Sequence, residues 1–532
     1  MTETTRSPGL PRPAIVWIVL IAIAAVFALC GGELGAQQPH PGKAPYDKWC
    51  AGCHGDTGAG DGVAAAYMLP RPRDFTRGDQ YQIRTTTDAL PSDADILRII
   101  DEGMPGTAMP GWRAKLSERE RTDLVAYLKT FSPFFANATP QPLAVGRAPG
   151  GGDEAIAEGR QAYQTLECAK CHGQAGRGDG TSAPTLADDR EQPIRAADLT
   201  RVWRFNGGST VEQIYTRLQT GLGGTPMASF TQAVSDSVVT EQQLWRVAQY
   251  VRSLSPEDPP GVPEVLRAVR ATGALPSSPD DSAWNDVEEQ YIPLAGQIIV
   301  KPRWFAPTVD GVWVQAMHDG ERLALRLRWN DPSKSPDALW NEWHGRMQTA
   351  MANADSVPFA PHGPDLFTVQ FPARDVGGER PFFLGGTTRR PVYLWRWTSN
   401  PDRSEEAIGT KFGTATPRAG APQLAHVASF TDGQWRLQLT RPLVSSDSAA
   451  APSLPEGRAI PIAFFAADGS NGEDVVRSSV SSWYSLYLDV PTPPRVYAAP
   501  LLAVALTAGL GAVAVRNAQR RREPKRSTSE AK

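Results

Sequence analysis

The first half of the chain carries apolar residues at helical spacing. Two stretches, Leu124-Val125-Ala126-Tyr127-Leu128 and Val247-Ala248-Gln249-Tyr250-Val251, have the pattern of amphipathic helices. Each is followed by a Ser-Pro pair, Ser132-Pro133 or Ser255-Pro256, and the residue before a proline disfavours helical geometry. These patterns predict all-α domains in the first half, with Tyr127 and Tyr250 packing the last helix of each domain on its first.

Beyond about residue 284 the hydrophobic period shortens to two, which is typical of half-buried strands. The clearest alternating runs cover 312–316, 323–329, 366–371 and 435–439. Two Asp-Gly pairs, Asp319-Gly320 and Asp432-Gly433, predict tight turns between antiparallel strands. An all-β sandwich is therefore expected over residues 284–490, and ten of the fifteen tryptophans lie there to build its core.

Two longer apolar stretches fit a membrane. Residues 496–515 carry no charge over 20 residues, enough for one transmembrane helix, and a basic tail over 516–532 follows directly. Basic residues flanking a span favour the cytoplasmic side, so the tail is predicted to be cytoplasmic and the bulk of the protein periplasmic or extracytoplasmic. The stretch from Ala14 to Cys30 is shorter, and we expect a signal peptide or an N-terminal anchor over residues 1–36. Cys30 follows a bulky leucine, which disfavours a lipoprotein site.

Length and charge narrow the functional classes. A chain of 532 residues is expected to form about three domains. A formal charge of −3 with interspersed signs offers no electrostatic case for nucleic-acid binding. Four of the five cysteines fall in two identical short patterns, which is not how a disulfide framework is arranged.

Those patterns are Cys50-Ala51-Gly52-Cys53-His54 and Cys168-Ala169-Lys170-Cys171-His172. Both match C-x-x-C-H, the attachment motif of c-type haem, in which two thiols bind the porphyrin vinyl groups and the histidine ligates the iron. A single copy could be a zinc half-site or a redox dithiol, but two copies weaken those alternatives. The cofactor prediction is two covalently bound haems c, held by Cys50, Cys53, Cys168 and Cys171, with His54 and His172 as iron ligands.

Two methionines complete the predicted ligand sets. Met109 lies in Gly106-Thr107-Ala108-Met109-Pro110, and Met227 in Gly224-Thr225-Pro226-Met227-Ala228. The separation of 55 residues from histidine to methionine is the same in both copies, which indicates a duplicated domain. Met104 is a competing candidate, but it has no counterpart in the second copy.

Each copy resembles a class I cytochrome c domain, over residues 40–135 and 152–257. The resemblance implies a small helical fold and a low-spin haem with histidine and methionine as axial ligands. With both axial positions filled, electron transfer is expected rather than catalysis. Weaker signals concern Arg71, Arg73 and Arg204, which could pair with haem propionates but are more often solvated.

Residues 284–490 resemble the haem-binding subunit of ethylbenzene dehydrogenase-type molybdenum enzymes. The resemblance rests on His318-Asp319-Gly320, on Val369-Gln370-Phe371-Pro372 and on Val392-Tyr393-Leu394-Trp395-Arg396-Trp397. It implies an electron relay for a molybdenum oxidoreductase and, in that family, a b-type haem held by methionine and lysine. Here Glu321-Arg322 stand where the methionine is expected, and Arg477-Ser478-Ser479-Val480 contains no lysine. A b-type haem in this domain is therefore possible but disfavoured, and Met317 is interpreted as a core residue.

The sequence thus predicts a membrane-anchored dihaem cytochrome that serves a molybdenum oxidoreductase. Its expected partners are the subunits of that enzyme and a soluble cytochrome or terminal oxidase. Three other functions stay open: a dihaem dehydrogenase or peroxidase that acts directly on a small reductant through a displaceable ligand, a free-standing carrier to a terminal oxidase, and a carbohydrate- or phenol-binding module marked by an exposed tryptophan stripe. No catalytic residue is predicted, and His344, His362 and His426 are interpreted as scattered structural residues.

Overall fold

The computed structural model describes most of the chain after residue 38. The described ranges are 39–68, 70–77, 81–87, 89–136, 138–256, 259–351, 363–374, 379–418, 423–444, 452–491 and 495–522. The predicted N-terminal segment with Cys30, His362 and the last ten residues of the basic tail lie outside these ranges.

The first predicted haem domain is helical. Its helices are α1 (Lys43–Trp49), α2 (Ala51–His54), α3 (Asp93–Glu102) and α4 (Glu118–Lys129). Ser92 and Ser117 begin α3 and α4 with capping boxes. In each, the serine hydroxyl accepts the backbone N–H of the third helical residue, and the carboxylate of that residue accepts the backbone N–H of the serine. The core contains Tyr46 and Leu124 and lies between α1, α3 and α4.

The second domain repeats this arrangement. Its helices are α5 (Asp153–Thr165), α6 (Ala169–His172), α7 (Val211–Thr220), α8 (Thr231–Ser235) and α9 (Glu241–Ser253). The packing of the last helix on the first is confirmed in both copies: the rings of Tyr46 and Tyr127, and those of Tyr163 and Tyr250, meet edge to face with centroids 5.3 Å apart.

Glycine allows the first and last helices of each domain to pack closely where they cross. A Cβ on Gly159 of α5 would lie 2.1 Å from the carbonyl oxygen of Arg246 on α9, and backbone at that distance cannot yield easily. Gly42, at the start of α1, has the same relation to Asp123 O, at 2.2 Å. The two backbones can approach this closely only because neither glycine has a side chain.

Gly159→Ala is expected to destabilise the second domain by about 1–3 kcal/mol, the usual cost of overpacking, although Ala normally stabilises a helix relative to Gly. The measurement is denaturant unfolding followed by the Soret band of the full-length protein. Gly151→Ala is the matched control, because a Cβ there meets only Gln249 Nε2 at 3.8 Å. An unchanged unfolding midpoint for Gly159→Ala would contradict the close crossing.

The remainder of the described chain up to residue 491 is dominated by β-structure. The strands are β1 (Val265–Arg270), β2 (Gln290–Pro293), β3 (Ala295–Gly296), β4 (Gly311–His318), β5 (Arg322–Asn330), β6 (Leu366–Pro372), β7 (Val392–Ser399), β8 (Asp402–Lys411), β9 (Thr414–Pro417), β10 (Ala425–Thr431), β11 (Gln434–Pro442), β12 (Ala459–Ala467), β13 (Ser479–Val480) and β14 (Tyr484–Leu488). All four predicted alternating runs are strands.

Hydrogen bonding links eleven of these strands in the order β10-β11-β5-β4-β1-β14-β12-β6-β7-β8-β9, while β2 pairs with β4 and β13 pairs with β12 and β3. The two halves of this path face each other across one core. Trp329 of β5 packs on Phe367 of β6 with ring centroids 4.7 Å apart, and Trp435 of β11 meets Trp397 of β7 at 4.8 Å. Both Asp-Gly turns lie where the sequence predicted them, and Asp432 and Gly433 adopt the left-handed conformation of a hairpin turn.

Two features correct the sequence analysis of this region. Residues 265–270, which lie before the predicted β-sandwich of 284–490, form β1, which pairs in parallel with β14 and β4. The region is also not all-β, since Ala338–Ala350 forms a helix, α10. Its cap is Asp337, whose side chain accepts the backbone N–H groups of Leu339 and Trp340.

Near the end of the chain, Arg495–Arg522 forms a long helix, α11. By length and composition, Val496–Arg521 can cross a membrane, with a mean hydropathy of 2.1 and none of its apolar window buried. This agrees with the predicted transmembrane segment over 496–515.

Candidate haem sites

The four motif cysteines lie beside two short helices. Cys50 and Cys168 precede α2 and α6, and Cys53 and Cys171 lie within them. None of the four forms a disulfide in the described part of the chain, and all four are partly buried. Burial raises the pKa of Cys50 and of Cys168 to about 12, so before haem attachment these thiols are protonated and are poor partners for disulfide exchange.

Each motif histidine is fixed by one backbone carbonyl. His54 Nδ1 lies 3.1 Å from Arg73 O, and His172 Nδ1 lies 2.9 Å from Ala197 O. A carbonyl can only accept, so Nδ1 carries the proton and Nε2 keeps its lone pair. Burial lowers the pKa of both histidines, which favours this neutral form. Both imidazoles are therefore prepared to bind a metal through Nε2.

The carbonyls belong to a repeated segment that the sequence analysis did not single out. Residues 71–77 correspond to 195–201, and the signal is the pattern Arg-x-x-Asp-x-Thr-Arg. In both copies the aspartate, Asp74 or Asp198, accepts the backbone N–H and the hydroxyl of the threonine two residues later. This turn holds the carbonyl against the histidine in the same way twice.

The methionine loops are also built alike. The backbone N–H of Met109 donates to Thr107 Oγ1 at 3.1 Å, and that of Met227 donates to Thr225 Oγ1 at 3.2 Å. Each methionine carbonyl accepts an N–H from five residues earlier in the chain, that of Met104 or of Leu222. Met104 thus corresponds to Leu222, which cannot ligate iron, so the comparison favours Met109 over Met104 as the ligand.

The two helical domains touch near both methionine loops. Arg84 of the first copy donates to Thr220 O at 2.6 Å, and Arg217 of the second donates to Arg84 O. A Cβ on Gly224 would lie 3.5 Å from Arg73, and one on Gly106 3.9 Å from Arg204, so each methionine loop faces an arginine of the other copy.

Two buried donors in the first domain suit an anionic cofactor. Tyr81 Oη and Trp112 Nε1 have no hydrogen-bond partner within the described part of the chain. Buried donors normally have a partner. Two thiols, a neutral histidine and such donors fit a covalently attached haem with carboxylate side chains.

Two of the three arginines considered for propionates have partners within the protein. Arg71 donates to Ala65 O at 2.5 Å and to Ala350 O, and Arg204 pairs with Asp310. Neither is a simple solvated side chain, which corrects that interpretation. Burial lowers the pKa of Arg73, whose carbonyl holds His54.

Asp310 ties the second helical domain to the β-region. Its two carboxylate oxygens accept from Arg201 and Arg204, and Arg201 is 4% exposed. Asn330 adds a bond to Asp198 at 2.6 Å, and Arg177 donates to Asp432 O in the β10–β11 turn.

Asp310→Asn is expected to loosen this contact by about 2 kcal/mol, because the nearly buried Arg201 then loses one of its two carboxylate partners and keeps only Asp198, while Asp310 itself is one quarter exposed. Salt-bridging lowers the pKa of Asp310, so its contribution is complete above about pH 4 and is lost as the pH falls through that lowered pKa. The measurement is limited proteolysis between the haem domains and the β-region at pH 7. Arg322→Gln, which removes an exposed pair with Asp319, is the control; equal cleavage of both variants would contradict the prediction.

The residues around the expected b-haem site have structural roles, in a turn or in the core. Asp319 accepts the N–H groups of Glu321 and Arg322 and so closes the β4–β5 turn. Met317 is 7% exposed and packs with Trp284 and Ala324, as its interpretation as a core residue predicted.

The tryptophans do not form a binding stripe. Eight of the ten in the β-region are buried, and the other two, Trp313 and Trp483, are half-buried. This arrangement disfavours the carbohydrate- or phenol-binding alternative. His426 has ordinary partners, with its ring nitrogens 2.9 Å from Ser404 Oγ and 3.1 Å from Asp402 Oδ1.

Comparison with known proteins identifies both helical domains. Residues 37–128 match the family of cbb3-type cytochrome c oxidase subunit III, and residues 156–255 match the cytochrome c family. A relative from Haloferax mediterranei, named as a candidate respiratory nitrate reductase haem subunit, is 28% identical over 45% of this chain and 77% of its own length. Dimethylsulfide dehydrogenase subunit gamma from Rhodovulum sulfidophilum is 25% identical over 37% of this chain and 69% of its own. A chain of a reducing HAO-like protein complex from Kuenenia stuttgartiensis is 40% identical over 41% of this chain and 96% of its own, with a TM-score of 0.37.

The chain therefore contains two cytochrome c domains with covalently bound c-type haem, and its function is electron transfer. The chain has redox proteins as partners, and its apolar C-terminal helix supports association with a membrane.

Proposed function

We propose that the chain is the membrane-anchored dihaem subunit of a molybdenum oxidoreductase. Its relatives include subunits whose names place them in nitrate reductase and dimethylsulfide dehydrogenase. The observation that carries the proposal is the duplicated pocket, in which a neutral histidine and a methionine loop recur with the same hydrogen bonds. Two similar haem sites in one chain suit the transfer of electrons from one protein partner to another.

In this proposal, Cys50 and Cys53 hold the first haem, with His54 and Met109 as axial ligands. Cys168, Cys171, His172 and Met227 hold the second. The haem supplies the one-electron chemistry, and a thioether ligand raises its reduction potential. The protein fixes each imidazole through a carbonyl, excludes water by burial and keeps both axial positions filled.

The proposed layout has cytochrome c domains over 40–135 and 152–257, a β-sandwich over 284–490 and a transmembrane helix over 496–515. The basic residues after that helix favour a cytoplasmic tail, so the three domains would lie on the periplasmic side. The β-region is the proposed docking module for the molybdenum subunit, with no haem of its own. A pyridine haemochrome spectrum showing one b-type haem beside two c-type haems would overturn that last statement.

Purification of the tagged protein from native membranes tests the main proposal. We expect a large subunit to copurify with stoichiometric molybdenum, together with an iron–sulfur subunit. Recovery with a haem–copper oxidase would favour a second function, a carrier to a terminal oxidase, which the match of residues 37–128 to an oxidase subunit supports. Recovery alone would exclude a stable molybdenum complex.

A further inference from the structure

Three aspartates meet in the interior of the β-region. Asp331 follows β5, Asp365 precedes β6 and Asp468 follows β12, so three strand ends bring them together. One carboxylate oxygen from each lies within 4.8 Å of the other two. All three residues are at most 1% exposed. Such a group of charges is costly to bury unless something compensates it.

Local hydrogen bonds fix these carboxylates but leave two oxygens without a partner. Asp468 Oδ1 accepts from Ser335 Oγ and Ser470 N, and Asp331 Oδ1 accepts from Ser333 N. Asp331 Oδ2 and Asp468 Oδ2 are buried and have no hydrogen-bond partner among the described residues. Unpartnered acceptors of this kind are rare in proteins and point to a group that completes the site.

His344 supplies an independent observation from a different element. It lies on α10, is fully buried, and neither ring nitrogen has a hydrogen-bond partner in the described part of the chain. Its Nε2 nevertheless lies 3.5 Å from Asp468 Oδ2. A fully buried imidazole without a hydrogen-bond partner among the described residues, beside these aspartates, points again to a group that completes the site.

The charge balance has the same implication. Glu473, also buried, accepts from Trp304 Nε1 and Asn471 Nδ2 beside Asp468. Arg195, from the second cytochrome domain, brings one positive charge toward Asp331, Asp468 and Glu473. A fourth buried carboxylate thus adds negative charge beside the three aspartates, which a bound cation would offset.

We propose that Asp331, Asp365 and Asp468 bind one Ca²⁺ ion that fastens the β-region to the second cytochrome domain. Calcium takes oxygen ligands at roughly 2.3–2.6 Å, so ligands on opposite sides lie about 5 Å apart, in keeping with the spread of these oxygens. Mg²⁺ needs a tighter octahedron and usually keeps several waters, which a buried site of three carboxylates suits less well. His344 would donate to Asp468 and orient it toward the ion.

The site lies next to the contact with the second cytochrome domain. Gln348 of α10 donates to Asn471 Oδ1 at 3.3 Å, in the turn after Asp468. On the same helix, Trp343 Nε1 donates to Leu186 O and Arg346 donates to Pro184 O. The Arg195 guanidinium stacks 5.4 Å above the Trp343 ring. An ion at the aspartates would therefore stabilise the helix that holds the cytochrome domain.

The test uses the full-length haem-loaded protein in detergent. Elemental analysis after dialysis against metal-free buffer should find one calcium per chain, and ⁴⁵Ca²⁺ equilibrium dialysis should give one saturable site that a tenfold excess of Mg²⁺ does not displace. Asp331→Asn should weaken calcium binding at least tenfold. Chelation should lower the thermal midpoint of the wild type but not that of the variant.

Glu406→Gln is the matched control, a buried carboxylate of the β-region that pairs with Arg441 and Arg418 instead. It should keep one calcium even if its stability falls. The proposal is overturned if the wild type has no saturable calcium site and no response to chelation. In that case the aspartates hold protons, and Asp331→Asn should raise the thermal midpoint by removing repulsion.

Discussion

Replacing Cys168 and Cys171 together by alanine is expected to reduce covalent haem from two per chain to one. The second cytochrome domain offers no other thiol, since all five cysteines of the chain are the two motif pairs and Cys30. Cys168 directly precedes α6, Cys171 lies within it, and His172 follows Cys171, so attachment and ligation depend on the same turn. Without the thioether bonds, any haem in this pocket is held only by its axial ligands and packing.

The measurement is haem staining of the denatured full-length protein, together with iron per chain in the purified sample. Cys30→Ala is the control, because Cys30 lies outside both motifs, and it should keep two haems. Cys50→Ala with Cys53→Ala should likewise leave one, in the second pocket. A double variant that retains two covalent haems would show that the motif has been misassigned.

The haem-attachment motifs were the most predictable part of this protein, because their residues are neighbours in the chain. C-x-x-C-H places both thiols and the imidazole within five residues, and the second copy repeats the spacing to Met227. The strands at 323–329 and 435–439 were equally accessible, because alternation is a short-range signal. In each of these cases, neighbouring residues in the chain determine the structure.

The parts that the sequence did not reveal depend on distant contacts. Asp331 and Asp468 are 137 positions apart, and only the ends of β5 and β12 bring their carboxylates together. Helix α10 lies in a region where the sequence has mostly strand periodicity, and it carries tryptophans on its buried face. It packs against Leu186 and the turn after Asp468, and local sequence does not reveal these contacts. His344 looked like an isolated histidine for the same reason.

Met109→Leu is expected to lower the reduction potential of the first haem by on the order of 0.1 V, within the roughly 0.8 V range over which axial ligands tune haem. Leucine fills similar space but has no thioether to stabilise the ferrous iron. The open sixth position should also bind carbon monoxide in the reduced protein. Spectroelectrochemical titration of the Soret band measures the potential, and a carbon monoxide difference spectrum measures the open site.

Met104→Leu is the matched control, because Leu222 already occupies the corresponding position in the second copy and makes the same backbone contact with the methionine loop. It should leave both potentials unchanged and bind no carbon monoxide. If the two variants behave in the opposite way, Met104 is the ligand and the loop hydrogen bond from Met109 N to Thr107 only shapes the turn. If neither variant binds carbon monoxide, the first haem is not methionine-ligated. In that case the two domains share a fold but not a set of axial ligands.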